Sequence, residues 1–394
     1  MDTRTGEGCR FAFNVRWLDP NTHLIWHYQL FYYTHDQSIE MFDIKNQRIF
    51  LKRVSHPEIH LEHLYLGASI SLYSRQLIIE SYGDEFSRKH LQGFQETTFA
   101  LIKPDGIKNM GRIIDLIFSN GFLIKELRMC KLSVEDARNF YKIHSGKPFY
   151  EALTQFMASG LCVAMDLVAE NAVRRWRTLL GPTNSQDARD RDPNSIRALF
   201  GTDSTQNACH GSDSLESAKQ ESDFFFRDRN FGSCARLENC TLCIIKPHLV
   251  FDGVAGQVID LVLKKFDVTA MEMVTFSQPN AAEFYEIYKG VLPDFHAMVH
   301  ELASGPFIAM EISNKDGQGN PVSSFREFCG PPDSQACRIV RPNTLRAKYG
   351  INKIKNGVHC TDLPEDGVLE CKFIFKHSFN PFVDAMEYTN HNLR

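Results

Sequence analysis

The first 93 residues contain short segments in which apolar and polar side chains alternate, and many of the apolar ones are aromatic. Alternation with a period of two places the two sets of side chains on opposite faces of a β-strand. Turn-forming residues, including Asp19-Pro20-Asn21 and His35-Asp36-Gln37, separate the segments. The pattern predicts a small all-β domain over residues 1–93. Its predicted strands are 11–16, 23–33, 38–43, 48–53 and 69–72.

From residue 96 onward, short apolar runs alternate with segments of helical periodicity, such as Ile113, Ile114, Ile117 and Phe118. Strands alternating with helices in this way indicate an α/β sandwich, in which helices cover a sheet. The elements predicted first are 98–103, 111–119, 122–131, 134–141, 149–158 and 162–167. The corresponding later elements are 242–246, 256–264, 268–276 and 307–312.

These later elements belong to a second copy of the same unit. Three pairs of segments match in order: 101–104 with 244–247, 159–166 with 304–311, and 195–201 with 344–350. A period this long indicates duplicated domains and not a solenoid. The predicted organisation is a β domain at 1–93, α/β domains at 96–226 and 240–376, and a flexible tail at 377–394.

Composition limits the class of partner. A net charge of -4 does not favour nucleic-acid binding, which usually requires a basic domain or face. No segment approaches about 18 uncharged apolar residues, so no membrane span is expected. The polar start of the chain does not resemble a secretory signal.

The eleven cysteines are scattered through apolar stretches. Buried, reduced thiols of a cytosolic protein are therefore expected. The pair Cys240-x-x-Cys243 has metal-like spacing, but it runs into a predicted strand and has no second pair. Structural use is favoured, and redox or metal chemistry is the alternative.

Phosphoryl-transfer chemistry is suggested by His210 in the first repeat. The glycine that follows it is expected to leave room for a phosphoryl group. Arg177 and Arg197 offer fork-shaped donors for phosphate, and Lys103 ends the first predicted strand. Each signal is weak by itself, and neither a P-loop nor a kinase glycine-rich loop occurs. Their conjunction in this order makes the case.

Four segments in order resemble the nucleoside diphosphate kinase family, namely TFALIKPDG (98–106), KPFY (147–150), LGPTN (180–184) and NACHGSDS (207–214). The likeness covers residues 97–226. The resemblance implies a ferredoxin-like α/β sandwich in each repeat. The expected fold class is therefore a small all-β N-terminal domain followed by two ferredoxin-like nucleoside diphosphate kinase domains.

The resemblance also implies roles for residues of the first repeat. His210 would take the γ-phosphate of ATP or another NTP and return it to a diphosphate. Glu221 would orient the imidazole with the help of Ser212, and Tyr141 would lie beside the transferred group. The expected nucleotide-binding residues are Lys103, Phe149, Arg177, Thr183, Arg197 and Asn207, with Phe149 stacking on the base. Mg²⁺ would arrive on the nucleotide, without protein metal ligands.

The second repeat keeps counterparts at Lys246, Tyr285, Arg326, Arg346, Asn356, His359 and Glu370. Pro332 replaces Thr183 and removes a hydroxyl, while Cys360 replaces Gly211 and is expected to crowd the phosphoryl group. Phe295 is the best candidate for the stacking aromatic ring. An inactive or weak second site is expected. A second, weaker kinase and a domain kept for packing both remain open.

Tandem copies behind an all-β domain resemble the ciliary and flagellar members of the family. That resemblance implies a component of the inside of axonemal doublet microtubules that also carries kinase activity. Its partners would be nucleotides, tubulin, other axonemal proteins and the γ-tubulin complex, and it would be found in the cytoplasm, cytoskeleton, axoneme and centrosome. The alternatives are a soluble housekeeping kinase and a centrosomal kinase without a structural role. No membrane or nucleic-acid partner is expected.

Overall fold

The computed structural model describes residues 8–19, 22, 24–56, 59–73, 75–93, 95–227 and 231–376. Within them the chain forms two compact units. One unit combines the β domain, up to Gln95, with Thr275–Pro306, and the other combines Glu96–Val274 with the described residues 307–376. The predicted turn residues Pro20 and Asn21 and the predicted tail 377–394 lie outside the described residues.

The described residues form strands and helices that are numbered here in chain order. The strands are β1 (Arg10–Leu18), β2 (Ile25–Tyr33), β3 (Ser38–Asp43), β4 (Arg48–Ser55), β5 (Ser69–Leu72), β6 (Arg75–Tyr82), β7 (Glu96–Ile102), β8 (Leu123–Lys131), β9 (Leu161–Ala169), β10 (Cys209–Gly211), β11 (Thr241–Ile245), β12 (Phe266–Val274), β13 (Phe307–Asn314) and β14 (Val358–Cys360). The helices are α1 (Glu85–Leu91), α2 (Met110–Ser119), α3 (Val134–Phe140), α4 (Tyr150–Ala158), α5 (Ala172–Leu180), α6 (Ser185–Arg191), α7 (Ile196–Phe200), α8 (Leu215–Phe226), α9 (Pro247–Phe251), α10 (Ala255–Lys265), α11 (Gln278–Phe284), α12 (Phe295–Leu302), α13 (Pro321–Cys329), α14 (Ser334–Val340), α15 (Leu345–Tyr349) and α16 (Gly367–Lys376).

The N-terminal domain is a six-stranded antiparallel sheet with the strand order β4-β3-β2-β1-β6-β5. Phe11, Phe13 and Val15 on β1 point into its core together with Leu30 on β2. The predicted all-β domain is therefore confirmed. Strand β6 and helix α1 were not predicted. The adjacent apolar residues Leu77, Ile78 and Ile79 interrupt the alternation in β6, and α1 is less than two turns long.

Helix α1 is attached to the sheet of the β domain by side chains at its N-terminal end. The Asp84 carboxylate caps the helix by accepting from the Ser87 backbone N–H at 2.7 Å. The buried Ser87 hydroxyl in turn accepts from the backbone N–H of Ala12 on β1, also at 2.7 Å. One side chain thus joins the helix to the central strand of the sheet.

Residues 275–306 belong to the second repeat by sequence, yet they pack with the β domain. The Gln76 side-chain amide donates to the backbone carbonyl of Phe276 at 2.8 Å. The Ser71 hydroxyl donates to the carbonyl of Ala303 at 2.7 Å. The hairpin β5–β6 therefore holds both ends of this helical segment.

The second unit is built on one eight-stranded sheet with the order β10-β7-β9-β8-β12-β13-β11-β14. The first four strands come from the first repeat and the last four from the second. Within each half the strand order is fourth-first-third-second, and the described pairings are antiparallel. This is the ferredoxin-like arrangement, so the predicted fold class is confirmed.

The two halves of this sheet meet at equivalent elements. Strand β8 pairs with β12, and helix α2 packs on α10. A Cβ on Gly111 would collide with the backbone of Asp260, and a Cβ on Gly256 would collide with the backbone of Asp115. Because the contact is reciprocal, the repeats are related by a local two-fold axis, and the glycines allow the helices their close approach.

Helices cover both faces of the sheet in the first repeat. Helices α2 and α5 pack on one face, while α3, α4 and α8 pack on the other. The short strands β10 and β14 form the two edges of the eight-stranded sheet. These edge strands carry His210 and His359.

The eleven cysteines are all free thiols, and all but Cys9 and Cys234 are buried. Cys240 lies beside Glu311 and Cys371, with ligand atoms within 4.8 Å of one another. The Glu311 carboxylate also accepts the backbone N–H groups of Arg236 and Leu237. Among the described helices, none has the length and apolar character needed to cross a membrane.

Candidate active site

His210 is held on an edge strand by a carboxylate behind its ring. In β10 it pairs with Leu101 of β7. Its Nε2 lies 3.0 Å from Oε1 of Glu221 on α8, with the ring tilted off the line of a hydrogen bond. The Ser212 hydroxyl donates to the other oxygen of Glu221 at 2.5 Å. The predicted trio of His210, Glu221 and Ser212 is therefore brought together.

The second ring nitrogen of His210 is available for chemistry. In the part of the chain that the structure describes, no hydrogen bond engages Nδ1. The aromatic rings of Phe140 and Tyr141 stand edge-on to the imidazole, with centroid distances of 5.4 and 5.9 Å. The side chain of His210 keeps 20% of its surface exposed. Packing thus fixes the ring while leaving a path to Nδ1.

Lys103 and Asn207 form a buried polar pair below the histidine. The Lys103 ammonium donates to Asn207 Oδ1 at 2.8 Å and to the carbonyl of Thr205 at 3.1 Å. The Asn207 amide donates to the Thr183 carbonyl at 2.9 Å. Burial, with added repulsion from Arg197, lowers the pKa of Lys103 to about 8. The predicted residues Lys103, Asn207 and Thr183 are thus linked by hydrogen bonds.

Arg197 on α7 is directed to the same edge of the sheet. Its guanidinium donates to the carbonyls of Gly181 at 2.9 Å and Cys209 at 3.3 Å. Burial lowers its pKa. Arg177, in the last turn of α5, makes no ion pair among the described residues. The pKa of Asp213 is lowered chiefly by the hydrogen bond from Ser217, and the charge of Arg177 adds to this.

Phe149 stands apart from the buried members of the site, at the start of α4. Its ring is 45% exposed, which is unusual for a large apolar side chain beside a polar cleft. The His144 ring packs edge-on against it at 5.6 Å. The Lys147 ammonium lies 5.8 Å from its centroid. An exposed aromatic face in this position offers a platform for a flat ligand.

Two buried donors near the histidine lack partners among the described residues. They are the Tyr141 hydroxyl and Nε of Arg197. Burying an unsatisfied polar group costs about 1–3 kcal/mol, so such groups call for a ligand or solvent. Both are donors, and an anion with several acceptor oxygens, such as a phosphate, would complement them.

The sequence reasoning missed residues that shape the turn before His210. Ala208 has a left-handed backbone with φ of 64°, which is uncommon for a residue other than glycine. The Asp105 carboxylate fixes this turn by accepting the Ala208 backbone N–H at 2.9 Å. Asp105 was visible in the KPDG segment, but nothing in the sequence indicates which backbone group it holds.

The glycine after His210 has a different role from the one expected. A Cβ at Gly211 would collide with the indole of Trp176 and lie 2.9 Å from Leu180. Neighbouring side chains on a strand point to opposite faces, so position 211 faces the core while His210 faces the cleft. Gly211 makes room for Trp176, and the interpretation that it makes room for a phosphoryl group is wrong.

The second repeat preserves the arrangement behind its histidine. His359 Nε2 lies 2.9 Å from Glu370, and the Thr361 hydroxyl donates to the same carboxylate at 2.8 Å. The His359 side chain is only 7% exposed, compared with 20% for His210. The second histidine is therefore correctly supported but less accessible.

The surroundings of His359 differ in their phosphate-binding groups. Arg326, the counterpart of Arg177, is ion-paired with Asp362. Arg346 is buried and donates to the carbonyls of Gly330 and Val358. Lys246 donates to the carbonyl of Ile354 at 2.8 Å. Arg346 and Lys246 thus make the same carbonyl contacts as Arg197 and Lys103 make in the first repeat. The ion pair of Arg326 is the difference between the two sets of cations.

Three further positions complete the comparison of the repeats. Asn356 donates to the carbonyl of Pro332, the residue that stands in place of Thr183. Tyr285 and Phe295 belong to the unit that contains the β domain, where they are 1% and 6% exposed. Phe295 therefore lacks the exposed ring face that Phe149 presents.

Cys360 is 3% exposed and belongs to the apolar core together with Cys329. It also lines a cavity with Arg326, Pro332 and Arg346, so its crowding of a phosphoryl group stays a prediction.

Comparisons with known proteins extend over both repeats and the β domain. The family model described as Nucleoside diphosphate kinase matches residues 96–231 and 239–379. The model described as Nucleoside diphosphate kinase 7 N-terminal PH domain matches residues 5–93. The chain is 46% identical to Nucleoside diphosphate kinase homolog 7 of Rattus norvegicus over 373 residues, which cover 93% of each chain. It is 46% identical over 133 residues to the nucleoside diphosphate kinase of Aquifex aeolicus (strain VF5), covering 33% of this chain and 94% of the relative. A crystal structure of an Aquifex aeolicus nucleoside diphosphate kinase is 44% identical, with a TM-score of 0.34, and covers 35% of this chain and 99% of that one.

Proposed function

This chain belongs to the nucleoside diphosphate kinase family, and we propose that its first repeat transfers phosphate between nucleotides through His210. The observation that carries the proposal is the contact of Glu221 with Nε2, which leaves Nδ1 as the nucleophile. A carboxylate behind an imidazole favours the tautomer whose lone pair is on the opposite nitrogen.

Transfer would proceed in two reversible steps. Nδ1 of His210 attacks the γ-phosphorus of a nucleoside triphosphate while the bond to the bridging oxygen breaks, and the diphosphate leaves. The phosphorylated ring carries positive charge, which the Glu221 carboxylate stabilises. An oxygen of the acceptor diphosphate then attacks the phosphohistidine and restores the imidazole.

The nucleotide would enter as its magnesium complex, with its phosphates towards Lys103 and Arg197. The unpartnered donors Tyr141 Oη and Arg197 Nε would bond to phosphate oxygens. The Arg177 guanidinium and the Thr183 hydroxyl would also bind the phosphates. The base would stack on Phe149, and stacking discriminates little among bases, so broad nucleotide specificity is expected.

The second repeat contributes little or nothing to this chemistry in our proposal. Arg326 is already ion-paired with Asp362. Pro332 stands in place of Thr183, so the hydroxyl expected to bind phosphate is missing. His359 retains its carboxylate but little access. Structural packing of the second repeat against the first accounts for the shared sheet, and weak nucleotide binding remains compatible with the retained cations.

Labelling of the intact chain tests the assignment of His210. The wild-type protein is incubated with ATP labelled at the γ-phosphate, and acid-labile label on the protein is counted. The variant His210→Ala should lose the label and the transfer of phosphate to a diphosphate. The matched variant His359→Ala should retain both, because it removes the equivalent side chain from the second repeat.

Equal labelling of His210→Ala and wild type would overturn the proposal. Loss of activity in His359→Ala, with unchanged thermal unfolding, would move the function to the second repeat or to both. Folding is checked for each variant by the melting temperature, since both histidines lie on short edge strands.

We also propose that the β domain attaches this kinase to ciliary microtubules, with tubulin, other axonemal proteins and the γ-tubulin complex as partners. The domain supplies none of the residues assigned above to His210 chemistry, and a phosphate-exchange enzyme has no need of it. The similarity of residues 5–93 to the N-terminal domain of a tandem family member supports a role distinct from catalysis. The localisation expected is the axoneme, with cytoplasmic, cytoskeletal and centrosomal pools.

Stepwise extraction of cilia tests this attachment. A built-in microtubule component stays with the axoneme in mild detergent and is released by salt or chaotrope. Full release by detergent alone would contradict the proposal and favour a soluble nucleotide-balancing enzyme. Deletion of residues 1–93 should release the chain into the detergent fraction while leaving phosphorylation of His210 intact.

A further inference from the structure

Two thiols face one another inside the second repeat. Cys329 is the last residue of α13, and Cys360 is the last residue of β14. Both are buried in the same apolar cluster, and α13 packs against β14. Cys243 lies directly across the sheet from Cys360 on β11. Cys360 therefore has one cysteine on the helix packed against its strand and another on the adjoining strand.

The same place in the first repeat holds no cysteine pair. Position 360 corresponds to Gly211, and position 329 corresponds to Leu180. In the first repeat Trp176 and Leu180 fill the space that a side chain at 211 would need. In the second repeat the smaller Phe325 stands in place of Trp176. The smaller ring leaves space in the core for the Cys360 side chain. The thiol pair thus comes with a matching change in packing.

The charge around Cys360 differs from that around the other buried thiols. Nη2 of Arg346 lies 3.5 Å from the sulfur. The hydrogen bond from Cys329, followed by the charges of Arg346, His359 and Arg326, lowers the pKa of Cys360 to about 6 despite its burial. In contrast, burial raises the pKa of Cys162 to about 12. The reactive form of a cysteine is the thiolate, which only Cys360 of these two would populate near neutral pH.

A cavity gives small molecules a route to this sulfur. Its volume is about 550 Å³, and its lining includes Arg326, Gly330, Pro332, Arg346 and Cys360. Arg341 and Glu327 also line it, so three arginines face one carboxylate and the cavity is positive. Cys329 lies one residue before the Gly330 that lines it.

We propose that Cys360 and Cys329 form a peroxide-reactive dithiol that closes to a disulfide. The Cys360 thiolate attacks hydrogen peroxide, so that a sulfur–oxygen bond forms, the oxygen–oxygen bond breaks and hydroxide leaves as water after taking a proton. The Cys329 thiol then attacks the sulfenic sulfur, forming the disulfide and releasing the second oxygen as water. Two thiols are oxidised, and one peroxide is reduced to two waters.

The disulfide would join the end of α13 to β14 beside the turn at Gly330–Pro332. Arg346 donates to the Gly330 carbonyl, and Asn356 donates to the Pro332 carbonyl. Formation of the disulfide would therefore change the positions of Arg346 and the other cations of the second repeat. The site is separate from His210, so the proposal does not depend on kinase activity in either repeat.

The experiment uses the full-length protein with hydrogen peroxide as the oxidant. Peroxide is added at increasing ratios, free thiols are blocked, and the linked peptides are identified by mass spectrometry with fragmentation. Wild type is compared with Cys329→Ser, Cys360→Ser and Cys337→Ser. Cys337 is a matched control because it is buried on the next helix, where it contacts the Thr344 hydroxyl.

Wild type and Cys337→Ser should yield the Cys329–Cys360 disulfide before other cysteines are modified. In Cys329→Ser the reaction should stop at a sulfenic acid on Cys360, which dimedone traps. The trapped adduct would show that the variant is folded and that only the second step is lost. A wild-type protein in which both residues remain thiols, or in which another pair such as Cys240 and Cys371 is oxidised first, would overturn the proposal. Unaltered formation of the same linked peptide in Cys360→Ser would overturn it as well.

Discussion

Arg128 and Glu272 occupy equivalent positions in the two repeats and form an ion pair where the halves of the sheet meet. Nη2 of Arg128 lies 3.0 Å from Oε1 of Glu272, and the two residues are paired in the register of β8 with β12. A symmetric dimer of identical repeats would place like charges opposite one another here. The pair is therefore compatible only with the pairing of a first repeat with a second.

Reversing one of these charges should weaken the joint between the repeats. In Arg128→Glu two carboxylates would face each other across the local axis, and we expect a loss of about 1–2 kcal/mol in the free energy of unfolding. The double variant Arg128→Glu/Glu272→Arg should recover most of that loss, because the attraction is restored with its direction exchanged.

Urea unfolding followed by tryptophan fluorescence measures these differences. The control is Arg175→Glu, which changes the charge of an arginine in the same unit that takes no part in the joint. Glu272→Arg is measured alone as well. If the loss in the double variant equals the sum of the losses in the two single variants, the two charges do not interact and the ion pair does not select the pairing of the repeats.

A second prediction concerns the core packing around Gly211, which differs from the packing around its counterpart Cys360. Gly211→Cys should destabilise the first repeat by about 1–3 kcal/mol, because the new side chain would overlap Trp176 and Leu180. The triple variant Gly211→Cys/Trp176→Phe/Leu180→Cys reproduces the second-repeat combination and should regain stability relative to the single variant. The melting temperature checks both. A harmless Gly211→Cys would show that the core relaxes freely.

The alternating pattern predicted the β domain, strands β7–β9 and β11–β13, and helices α2, α3, α4 and α10, because each buries one regular face. It did not predict the helices α5, α8, α13 and α16. It did not predict β10 and β14, which have three residues each and are too short to show a period. Nor could it predict that residues 275–306 pack with the β domain, since the contacts of Ser71 and Gln76 are tertiary and leave no periodic trace.

The candidate site was predicted in its residues more than in its geometry. Ordered motifs identified His210 and its neighbours, whereas the direction of the side chain at 211 depends on strand pleating that a three-residue segment does not reveal. For the same reason, the pairing of Cys360 with Cys329 and the hold of Asp105 on Ala208 emerge only once the chain is folded.

The contact between Asp105 and Ala208 gives a third prediction. Asp105→Ala would leave the Ala208 backbone N–H without its acceptor, at a cost of about 1–3 kcal/mol, and would loosen the left-handed turn before His210. Asp105→Asn keeps an acceptor oxygen and should retain most of the stability and the rate of His210 phosphorylation. Equal effects of the two substitutions on rate and melting temperature would show that the turn needs the charge and not the hydrogen bond.

The buried ammonium of Lys103 predicts how phosphorylation of His210 depends on pH. Burial, with added repulsion from Arg197, lowers the pKa of Lys103 to about 8, so the free protein loses this positive charge as the pH rises above that value. If the charge assists phosphate binding, kcat/KM for phosphorylation by ATP should fall about tenfold per pH unit above the pKa. In Lys103→Arg the guanidinium stays protonated over this range, so the retained activity should lose the decline. The measurement is the initial rate of label incorporation between pH 7 and 10, with thermal unfolding recorded at each pH. A decline of the same slope and midpoint in Lys103→Arg would assign the titration to another group and remove Lys103 from the phosphate site.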